Sequence, residues 1–292
     1  MRACYDALMS ALLLDGRKAA SELLASLKAK VKELDPKLTI VQVGNDPASA
    51  SYITQKMKSC EEVGMRYEHR HLPEETTFKD LLNLIRTLNV DADVAGFIVQ
   101  MPLPKHLEKK IPELIREIEP KKDVDGFGAY NLGKMFLATE FEHLPPATPA
   151  GVIALLEYNK IPVVGKHAVI LGRSNTVGKP LAVMLLNRDA TVTVCHSKTK
   201  NLPEITKQAD ILIAAVGKPK FVKAEMVKKG AVVIDVGITK TAEGLVGDVD
   251  FEKVQEVASA ITPVPGGVGP MTVASLIRNC VRAKERQREK NF

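Results

Sequence analysis

The sequence predicts an α/β protein of two domains, each built on a parallel sheet that is covered by helices. Three observations lead to this class. Short apolar runs of β-type residues alternate with helix-spaced apolar segments along the chain, an order that is typical of βα winding. The 292 residues, 45% of them hydrophobic, suffice for two domains of ordinary size. A proline-rich joint, LPPATP at 144–149, separates the two halves.

The first half is predicted to form one domain, residues 1–146, which the last segment of the chain, 271–292, rejoins as a helix. Apolar residues at helical spacing predict the helices, and buried-type apolar runs predict the strands. Helices are expected over 17–34, 48–63, 77–88 and 107–118, and strands over 38–43 and 94–101.

The second half, 147–270, is predicted to form the other domain. Thr148 and Pro149 suit the N-cap and first turn of a helix over 151–158. A last helix is expected from residue 271 to about 286. Strands, with helices between them, are expected over 168–171, 191–194, 211–216 and 231–236.

The net charge of +6 does not indicate a nucleic-acid-binding protein. Charged residues of both signs, 26% of the chain, are spread along it, and no basic stripe interleaved with aromatic residues occurs. A modest positive field suits small polyanionic ligands equally well. The four cysteines are far apart without a C-x-x-C pair, so we expect neither a zinc site nor a disulfide framework, and a reducing cytosol fits.

The N-terminal apolar stretch, 7–14, is not expected to be a signal peptide. Asp6 precedes it, Asp15 ends it, and no small-residue cleavage site follows. Met9 offers a second start, which would make residues 1–8 a dispensable extension. No run reaches the ~20 apolar residues of a transmembrane helix. We therefore expect a cytoplasmic protein that does not associate with membranes.

A strand, a glycine loop and a helix are predicted in succession over residues 167–186. Free N–H groups at the start of such a helix favour an anion, so this order predicts a Rossmann-like domain that binds the pyrophosphate of a dinucleotide. The loop, GRSNTVG at 172–178, departs from G-x-G-x-x-G, since Ser174 takes the second glycine position and the last glycine comes one place late. The sequence fits a nucleoside-triphosphate-binding loop less well. Gly172 and Gly178 are farther apart than the glycines of such a loop, and Lys179 is followed by a proline instead of Ser or Thr.

The next strand ends without the acidic residue that would bind the 2′-hydroxyl of NAD. Instead, Ser197 and Lys198 follow the strand, and Arg173 lies in the glycine loop. Donors of this kind suit a phosphate, so the sequence favours NADP over NAD. The alternative is that Arg173 and Lys198 are solvated surface cations.

Tyr52 and Lys56 are spaced i, i+4 on the second predicted helix and so lie on one flank. Lys56 is at the edge of the apolar stripe, where partial desolvation lowers the pKa of an amine and makes its neutral form accessible near pH 7. The alternative is a snorkelling surface lysine. Short-chain dehydrogenases also use a Tyr-x-x-x-Lys pair, but after the glycine loop, whereas here the pair precedes it by roughly 120 residues.

Two further segments come at predicted strand or loop ends, where open α/β sheets bind ligands: VQMPLP at 99–104 and KKDVDG at 121–126. Gln100 would present an amide there. Asp125 would present a carboxylate able to hold the paired N–H edge of a heterocycle. Alternatively, both residues serve as turn residues or caps.

Together these segments strongly resemble those of the methylenetetrahydrofolate dehydrogenase/cyclohydrolase family, the bacterial FolD type. The resemblance extends from about residue 14 to 282. Five segments in order carry it: YITQK at 52–56, VQMPLP at 99–104, KDVDG at 122–126, GRS at 172–174 and PVPGGVGPMT at 263–272.

The resemblance implies two reactions on tetrahydrofolate derivatives, in one cleft flanked by the two domains. NADP oxidises 5,10-methylenetetrahydrofolate to the 5,10-methenyl cation, and water then converts the cation to 10-formyltetrahydrofolate, as part of one-carbon metabolism. No metal is required. Members of the family are homodimers, so a homodimer is expected here.

The resemblance also implies roles for individual residues. Lys56 would be the catalytic amine, and Gln100 would bond and tune it. Asp125 would bind the N–H edge of the pterin, and Tyr52 would stack on the aminobenzoate ring. Further substrate residues would be Val99, Met101, Pro265 and Gly266, and cofactor residues would be Gly172, Arg173, Ser174, Ser197, Ile238 and Gly269.

Two other functions stay open on the sequence alone. One is a short-chain-type NADP reductase that uses Tyr52 as its acid. The other is a non-enzymatic, NADP-binding regulatory protein. Replacing Tyr52 with Phe would abolish the former activity, but would leave substantial hydride transfer in an enzyme of the folate family.

Overall fold

A computed structural model describes residues 11–242 and 244–289 of the chain. Cys4 and Met9 lie outside the described residues, and so do the first half of the apolar stretch 7–14 and the end of the segment 271–292. The described chain forms two compact units. The six-stranded unit comprises residues 11–19 and Thr148–Thr272, and the three-stranded unit comprises Ala20–Ala147 and 273–289.

The elements are numbered in chain order across both units. The strands are β1 (Leu12–Leu13), β2 (Lys37–Val43), β3 (Arg66–Leu72), β4 (Gly96–Val99), β5 (His167–Leu171), β6 (Thr191–Cys195), β7 (Ile211–Ala214), β8 (Val232–Asp235), β9 (Thr239–Thr241), β10 (Gly244–Val246) and β11 (Ala260–Ile261). The α-helices are α1 (Gly16–Leu34), α2 (Pro47–Val63), α3 (Phe78–Val90), α4 (Lys105–Glu108), α5 (Ile111–Glu117), α6 (Ala129–Met135), α7 (Ala147–Tyr158), α8 (Gly178–Leu186), α9 (Leu202–Thr206), α10 (Phe251–Val254) and α11 (Val268–Glu289).

A parallel sheet with the strand order β1-β11-β8-β7-β5-β6 forms the six-stranded unit. Its central strands are buried on both faces, which explains their nearly continuous apolar sequences. The chain order reverses next to β5, with β6 on one side and β7 on the other. Such a reversal creates the crevice at which open α/β sheets bind ligands.

The three-stranded unit is also parallel, with the strand order β3-β2-β4. Helices α3 and α5 pack with β2 and β4 in one apolar core, which includes Leu81, Phe97 and Leu114. Helix α2 begins where Asp46 accepts a hydrogen bond from Ser49 N, and it ends at Gly64 in the left-handed conformation. Local capping therefore fixes both ends of the helix that carries Tyr52 and Lys56.

Several sequence-predicted elements differ from the structure. Strand β3 was not predicted, because its sequence RYEHRHL lacks apolar alternation, and it pairs only with β2 at the sheet edge. The helix expected over 107–118 is broken into α4 and α5. A helix was expected between β7 and β8, but residues 215–231 contain only a 3-10 turn at Ala224–Met226.

The ends of two helices also correct the sequence-based expectation. Helix α7 begins at Ala147, so Thr148 lies within its first turn instead of capping it, and its Oγ1 pairs with Thr272 Oγ1 at 3.2 Å. Helix α11 begins at Val268, three residues before the predicted start, which places Gly269 in its first turn.

Two further observations concern the cysteines and the lengths of the helices. The described cysteines, Cys60, Cys195 and Cys280, are buried free thiols. Within residues 11–242 and 244–289, every helix is too short or too polar to cross a membrane.

Candidate active site

Lys56 and Gln100 form a direct pair in the three-stranded unit. Helix α2 carries Lys56, and Gln100 is the first residue after β4. The Lys56 amine donates a 2.8 Å hydrogen bond to Gln100 Oε1. Gln100 Nε2 in turn donates to Met101 O at 2.7 Å, which fixes the amide with its oxygen towards the lysine. The resemblance implied a bond between these two residues, and the structure brings them together.

Ser49 connects the first turn of α2 to the same segment after β4. Its hydroxyl donates to Met101 O at 3.1 Å, and its main-chain N–H donates to Asp46 Oδ1 at 2.8 Å. Ser49 is only 2% exposed. Ser49 thus takes part both in the cap that starts the helix and, through its hydroxyl, in a contact with the loop of Gln100. Sequence reasoning missed this residue, since a serine near a helix start is most simply a cap.

Burial lowers the pKa of the Lys56 amine, and the negative charge of Asp125 opposes that change. Burial raises the pKa of the Asp125 carboxyl; the charge of Lys56 opposes this, whereas that of Asp123 adds to it. The side chains of both Lys56 and Asp125 are therefore shifted towards their neutral forms. A lysine and a carboxyl that can each hold or release a proton are suited to acid–base chemistry.

Asp123 organises the loop that carries Asp125. Its carboxylate is 2% exposed and accepts hydrogen bonds from Gly126 N at 3.0 Å and Gly128 N at 2.7 Å. The side-chain amide of Asn131 supplies a further bond at 3.0 Å. These contacts turn the chain sharply after Asp125 and start α6. The sequence analysis assigned Asp125 but gave no role to Asp123.

Helix α11 supports this loop from within the same unit. Asn279 is fully buried, and its Nδ2 donates to Val124 O at 2.9 Å and to Pro145 O at 2.8 Å. Gly126 has a φ of 74° and packs directly against Pro145, so a side chain there would be doubly unfavourable. The position of Asp125 thus depends on a residue more than a hundred positions away, which sequence spacing could not reveal.

The remaining residues assigned to the substrate have different surroundings. Tyr52 is half-buried one turn before Lys56 on α2, and burial raises the pKa of its hydroxyl. Val99 is 7% exposed and its side chain packs in the apolar core, whereas Met101 is only partly buried. Any contact of Val99 with a ligand would therefore involve its main chain.

The glycine loop joins β5 to α8 in the six-stranded unit. Gly172 has a φ of 118°, and an added Cβ would overlap Ala215 O. An added Cβ at Gly178 would overlap Gly172 O, so the helix starts in close contact with the end of the strand. Ser174 Oγ accepts hydrogen bonds from Val177 N at 3.1 Å and Gly178 N at 3.3 Å. The loop is therefore closely packed despite its unusual sequence.

Arg173 and Ser197 follow two adjacent strands. Leu171 pairs with Cys195, and Gly172 N donates to Cys195 O at 2.9 Å. Both Arg173 and Ser197 are exposed at this edge of the sheet. An exposed guanidinium and a hydroxyl on neighbouring loops suit a phosphate group, and no acidic residue occurs between 195 and 200.

The other assigned residues of this unit follow β8 and β11. Ile238 is half-buried, and an added Cβ at Gly269 would lie 3.6 Å from its Cδ1. Pro265 is exposed, and Gly266, with a φ of 115°, lies beside the Arg17 side chain. Pro265 and Gly266, which were assigned to the substrate, thus belong to the same unit as the cofactor residues. Lys56, Gln100 and Asp125, the residues of the candidate catalytic site, belong to the other unit.

Comparisons with known proteins identify the family. The sequence matches the model of the tetrahydrofolate dehydrogenase/cyclohydrolase catalytic domain over residues 14–125, and that of the NAD(P)-binding domain of the same family over 146–288. A relative named bifunctional protein FolD, from Agathobacter rectalis, is 51% identical over 280 residues, which cover 94% of this chain and 99% of that protein. The protein of the same name from Caldicellulosiruptor saccharolyticus is 54% identical over 259 residues, which cover 88% and 92%.

Solved structures agree with these matches. The crystal structure of the FolD methylenetetrahydrofolate dehydrogenase/cyclohydrolase from Campylobacter jejuni has a TM-score of 0.91 at 45% identity and covers 95% of this chain and 100% of that chain. The Trypanosoma brucei enzyme, crystallised with NADP and an inhibitor, has a TM-score of 0.90 at 35% identity, with 95% and 98% covered. The resemblance inferred from the motifs is confirmed, and the chain belongs to the tetrahydrofolate dehydrogenase/cyclohydrolase family.

Proposed function

We propose that Lys56 is the catalytic amine of this bifunctional enzyme, a methylenetetrahydrofolate dehydrogenase and methenyltetrahydrofolate cyclohydrolase. The observation that carries the proposal is the 2.8 Å hydrogen bond from Lys56 Nζ to Gln100 Oε1. It is made by a partly buried amine whose pKa is lowered by burial. The neutral form of an amine can accept a proton and return it, and a lowered pKa makes this form more abundant.

The family membership removes the two alternatives left open by the sequence, a short-chain reductase and a regulatory protein without activity. In the dehydrogenase reaction, the carbon between N5 and N10 of methylenetetrahydrofolate loses a hydride and becomes the methenyl cation. NADP, when bound, supplies the acceptor for that hydride. The protein's own contribution to this step is alignment, since the folate nitrogens stabilise the cation.

The cyclohydrolase reaction makes greater demands on the side chains. Water adds to the cationic carbon, and the neutral Lys56 amine takes a proton from this water. The C–N5 bond then breaks as the ammonium returns a proton to N5, which gives 10-formyltetrahydrofolate and releases one proton overall. Gln100 holds the amine towards the reacting carbon, and its neutral oxygen keeps the lysine positioned without the strong charge stabilisation that a carboxylate would add.

The three-stranded unit, which carries Lys56 and Gln100, also carries most of the residues assigned to the folate. Asp125 would bind the N–H edge of the pterin, for which two acceptor oxygens are suited. Its loop is held by Asp123 and Asn279, and this supports a fixed orientation of the carboxylate. Tyr52 would stack on the aminobenzoate ring, with Met101 and the main chain of Val99 beside it. Pro265 and Gly266, the other residues that the resemblance assigned to the folate, belong to the six-stranded unit.

The residues present fit NADP. Arg173 and Ser197, exposed on adjacent loops, would bind the 2′-phosphate, which favours NADP over NAD. The close packing of Gly172 against Ala215 and of Gly178 against Gly172 supports a main-chain site for the pyrophosphate. Ser174, Ile238 and Gly269 would line the rest of the cofactor site.

A pair of lysine variants tests the proposal. Lys56→Met should lose cyclohydrolase activity by roughly 10²- to 10⁴-fold, the usual contribution of a general acid–base group. Dehydrogenase activity should fall less. Lys58→Met, an exposed position on the same helix, is the matched control and should retain both activities. Full cyclohydrolase activity in Lys56→Met would refute the assigned role.

The proposal also covers the compartment, the oligomeric state and the metabolic role of the protein. We infer a cytoplasmic homodimer that acts in one-carbon metabolism, because FolD-type enzymes are expected to share these properties and the product is a formyl donor of the kind that purine biosynthesis consumes. Sedimentation of the purified protein tests the oligomeric state. A monomer at micromolar concentration would contradict it.

A further inference from the structure

Two buried carboxylates, Asp235 and Asp248, lie at the carboxyl edge of the six-stranded sheet. Asp235 is the last residue of β8 and is 3% exposed, and Asp248 is fully buried. The catalytic and binding roles proposed above use neither residue. Burying a charged group is costly unless it is well bonded, so the partners of these two side chains indicate what they do.

Asp235 bonds to main-chain N–H groups of two segments. Its Oδ1 accepts from Gly237 N at 3.1 Å and from Asp248 N at 2.9 Å, and its Oδ2 accepts from Val249 N at 2.9 Å. Its own N–H donates to Thr262 Oγ1 at 2.7 Å. The carboxylate therefore fastens the turn after β8 to the segment around Asp248.

Asp248 extends the same arrangement to the loop after β7. Its Oδ2 accepts from Val216 N at 2.6 Å and Gly217 N at 2.9 Å, and its Oδ1 accepts from Lys218 N at 2.7 Å. Three successive N–H groups thus turn towards one carboxylate. Together, the two aspartates fix the loops that follow β7 and β8.

The packing of two glycines against these carboxylates shows how closely the segments fit. An added Cβ at Gly237 would overlap the carboxylate of Asp248, and one at Gly247 would overlap that of Asp235. Each carboxylate thus occupies the space that a side chain on the other segment would need. Small shifts of one segment cannot occur without moving the other.

These loops occupy a defined place in the dinucleotide site. The glycine loop follows β5, and Ser197 follows β6 on one side of it. Strands β7 and β8 lie on the other side of β5, so their loops lie away from the 2′-phosphate end, towards the nicotinamide end of the cofactor. Ile238, assigned to the cofactor, comes directly after Gly237.

We propose that Asp235 and Asp248 are positioning residues for NADP, which hold the loops after β7 and β8 in the conformation that receives the nicotinamide half of the cofactor. The proposal rests on the assignment of NADP to this edge of the sheet. The two residues act through main-chain N–H groups and do not contact the cofactor themselves. Their loss should therefore weaken cofactor binding and spare the chemistry of Lys56.

Asn substitutions test this role, because an amide keeps the size of the side chain but replaces an acceptor oxygen by a donor. Asp235→Asn and Asp248→Asn should each raise KM for NADP by about 10- to 100-fold, since each leaves one or two buried N–H groups unpaired. The kcat of the dehydrogenase at saturating NADP should stay within about threefold. Cyclohydrolase activity on methenyltetrahydrofolate, measured without NADP, should be unchanged.

Asp210→Asn is the matched control. This aspartate directly precedes β7, at the opposite edge of the same sheet, where it accepts from His167 N at 2.9 Å and from Lys228 Nζ at 2.6 Å. The substitution should lower thermal stability without raising KM for NADP. An equal rise of KM in the control would overturn the positioning role.

Other outcomes also decide the question. An unchanged KM in folded Asp235→Asn and Asp248→Asn would refute the proposal. A parallel loss of cyclohydrolase activity, or failure of both variants to fold, would show that the carboxylates are structural, and would refute it as well. Failure of the underlying assignment looks different, because then Arg173→Ala would also leave KM for NADP unchanged.

Discussion

Replacing Gln100 with Glu places a carboxylate where Lys56 now meets a neutral amide oxygen. The Lys56 Nζ to Gln100 Oε1 distance is 2.8 Å, so the new charge would lie in direct contact with the amine. With an effective dielectric constant of ~20, unit charges about 4 Å apart attract by about 4 kcal/mol, and this distance already allows for some relaxation of the pair.

This attraction acts on the ammonium form alone, so it favours protonated Lys56. Each 1.4 kcal/mol changes the ratio of ammonium to neutral amine about tenfold. An attraction of about 4 kcal/mol therefore lowers the neutral fraction of Lys56 by roughly 10³-fold at a pH where the ammonium predominates. Because the proposed hydrolytic step uses the neutral amine, Gln100→Glu should lower cyclohydrolase activity by about 10²- to 10³-fold. The dehydrogenase should be affected much less.

The assay follows the loss of methenyltetrahydrofolate absorbance across pH, with the uncatalysed hydrolysis subtracted. In the unsubstituted enzyme, the rate should rise as Lys56 deprotonates, and in Gln100→Glu this rise should move to higher pH. Gln100→Met removes the hydrogen bond without adding charge, so it should lower the rate without moving the rise to higher pH. An unshifted pH profile in Gln100→Glu would refute the idea that Gln100 tunes the lysine.

Three further substitutions give separate readouts. Gly178→Ala should weaken NADP binding and spare cyclohydrolase activity, because the new Cβ overlaps Gly172 O and overpacking of this kind costs about 1–3 kcal/mol; an unchanged KM for NADP would contradict it. Asn279→Ala leaves two buried carbonyls unpaired, one of them adjacent to Asp125, so it should lower the free energy of unfolding by about 2–5 kcal/mol in denaturant titrations and raise KM for the folate. Burial, together with nearby cations, lowers the pKa of His143 to about 4 from 6.5, so its neutral form stabilises the fold above pH 6.5 and that contribution is lost as pH falls towards 4. The difference in the free energy of unfolding between His143→Gln and the unsubstituted protein should therefore shrink as the pH falls from 6.5 to 4. A difference that stays constant would contradict the lowered pKa of His143.

The buried strands were the part of the fold most accessible from sequence. Strands β5, β7 and β8 are covered on both faces, so they appear as continuous apolar runs and their positions were predicted to within two residues at either end. Strand β3 was missed for the opposite reason. It lies at a sheet edge, where burial is incomplete, and its sequence shows no alternation of apolar and polar residues.

In the candidate site, too, some features could be predicted from the sequence and others could not. Lys56 and Gln100 could be recognised individually, one at the edge of an apolar stripe and the other at a strand end. Their hydrogen bond joins positions 44 residues apart and depends on how α2 packs beside β4, which no local pattern records. Ser49 was not predicted for a related reason: only its main-chain N–H takes part in the cap at Asp46, and its hydroxyl contacts Met101 O, 52 positions further along the chain.

The aspartates that hold the loops in place are harder to recognise from the sequence. Asp123, Asp235 and Asp248 bond mainly to main-chain N–H groups, which every residue except proline possesses, so no partner residue type reveals them. Their neighbours are more informative. Glycines stand within five residues of each aspartate, and a carboxylate fills the space of a Cβ at each of them: that of Asp123 at Gly128, that of Asp248 at Gly237 and that of Asp235 at Gly247. A buried carboxylate that collects several N–H groups requires the chain to fold closely round it, and glycine permits that approach. Asp235, at the end of an apolar strand with a glycine two residues on, is therefore better interpreted as an organiser of the ligand-binding edge than as a solvated turn residue, and the KM of the Asp235 and Asp248 variants tests this interpretation directly.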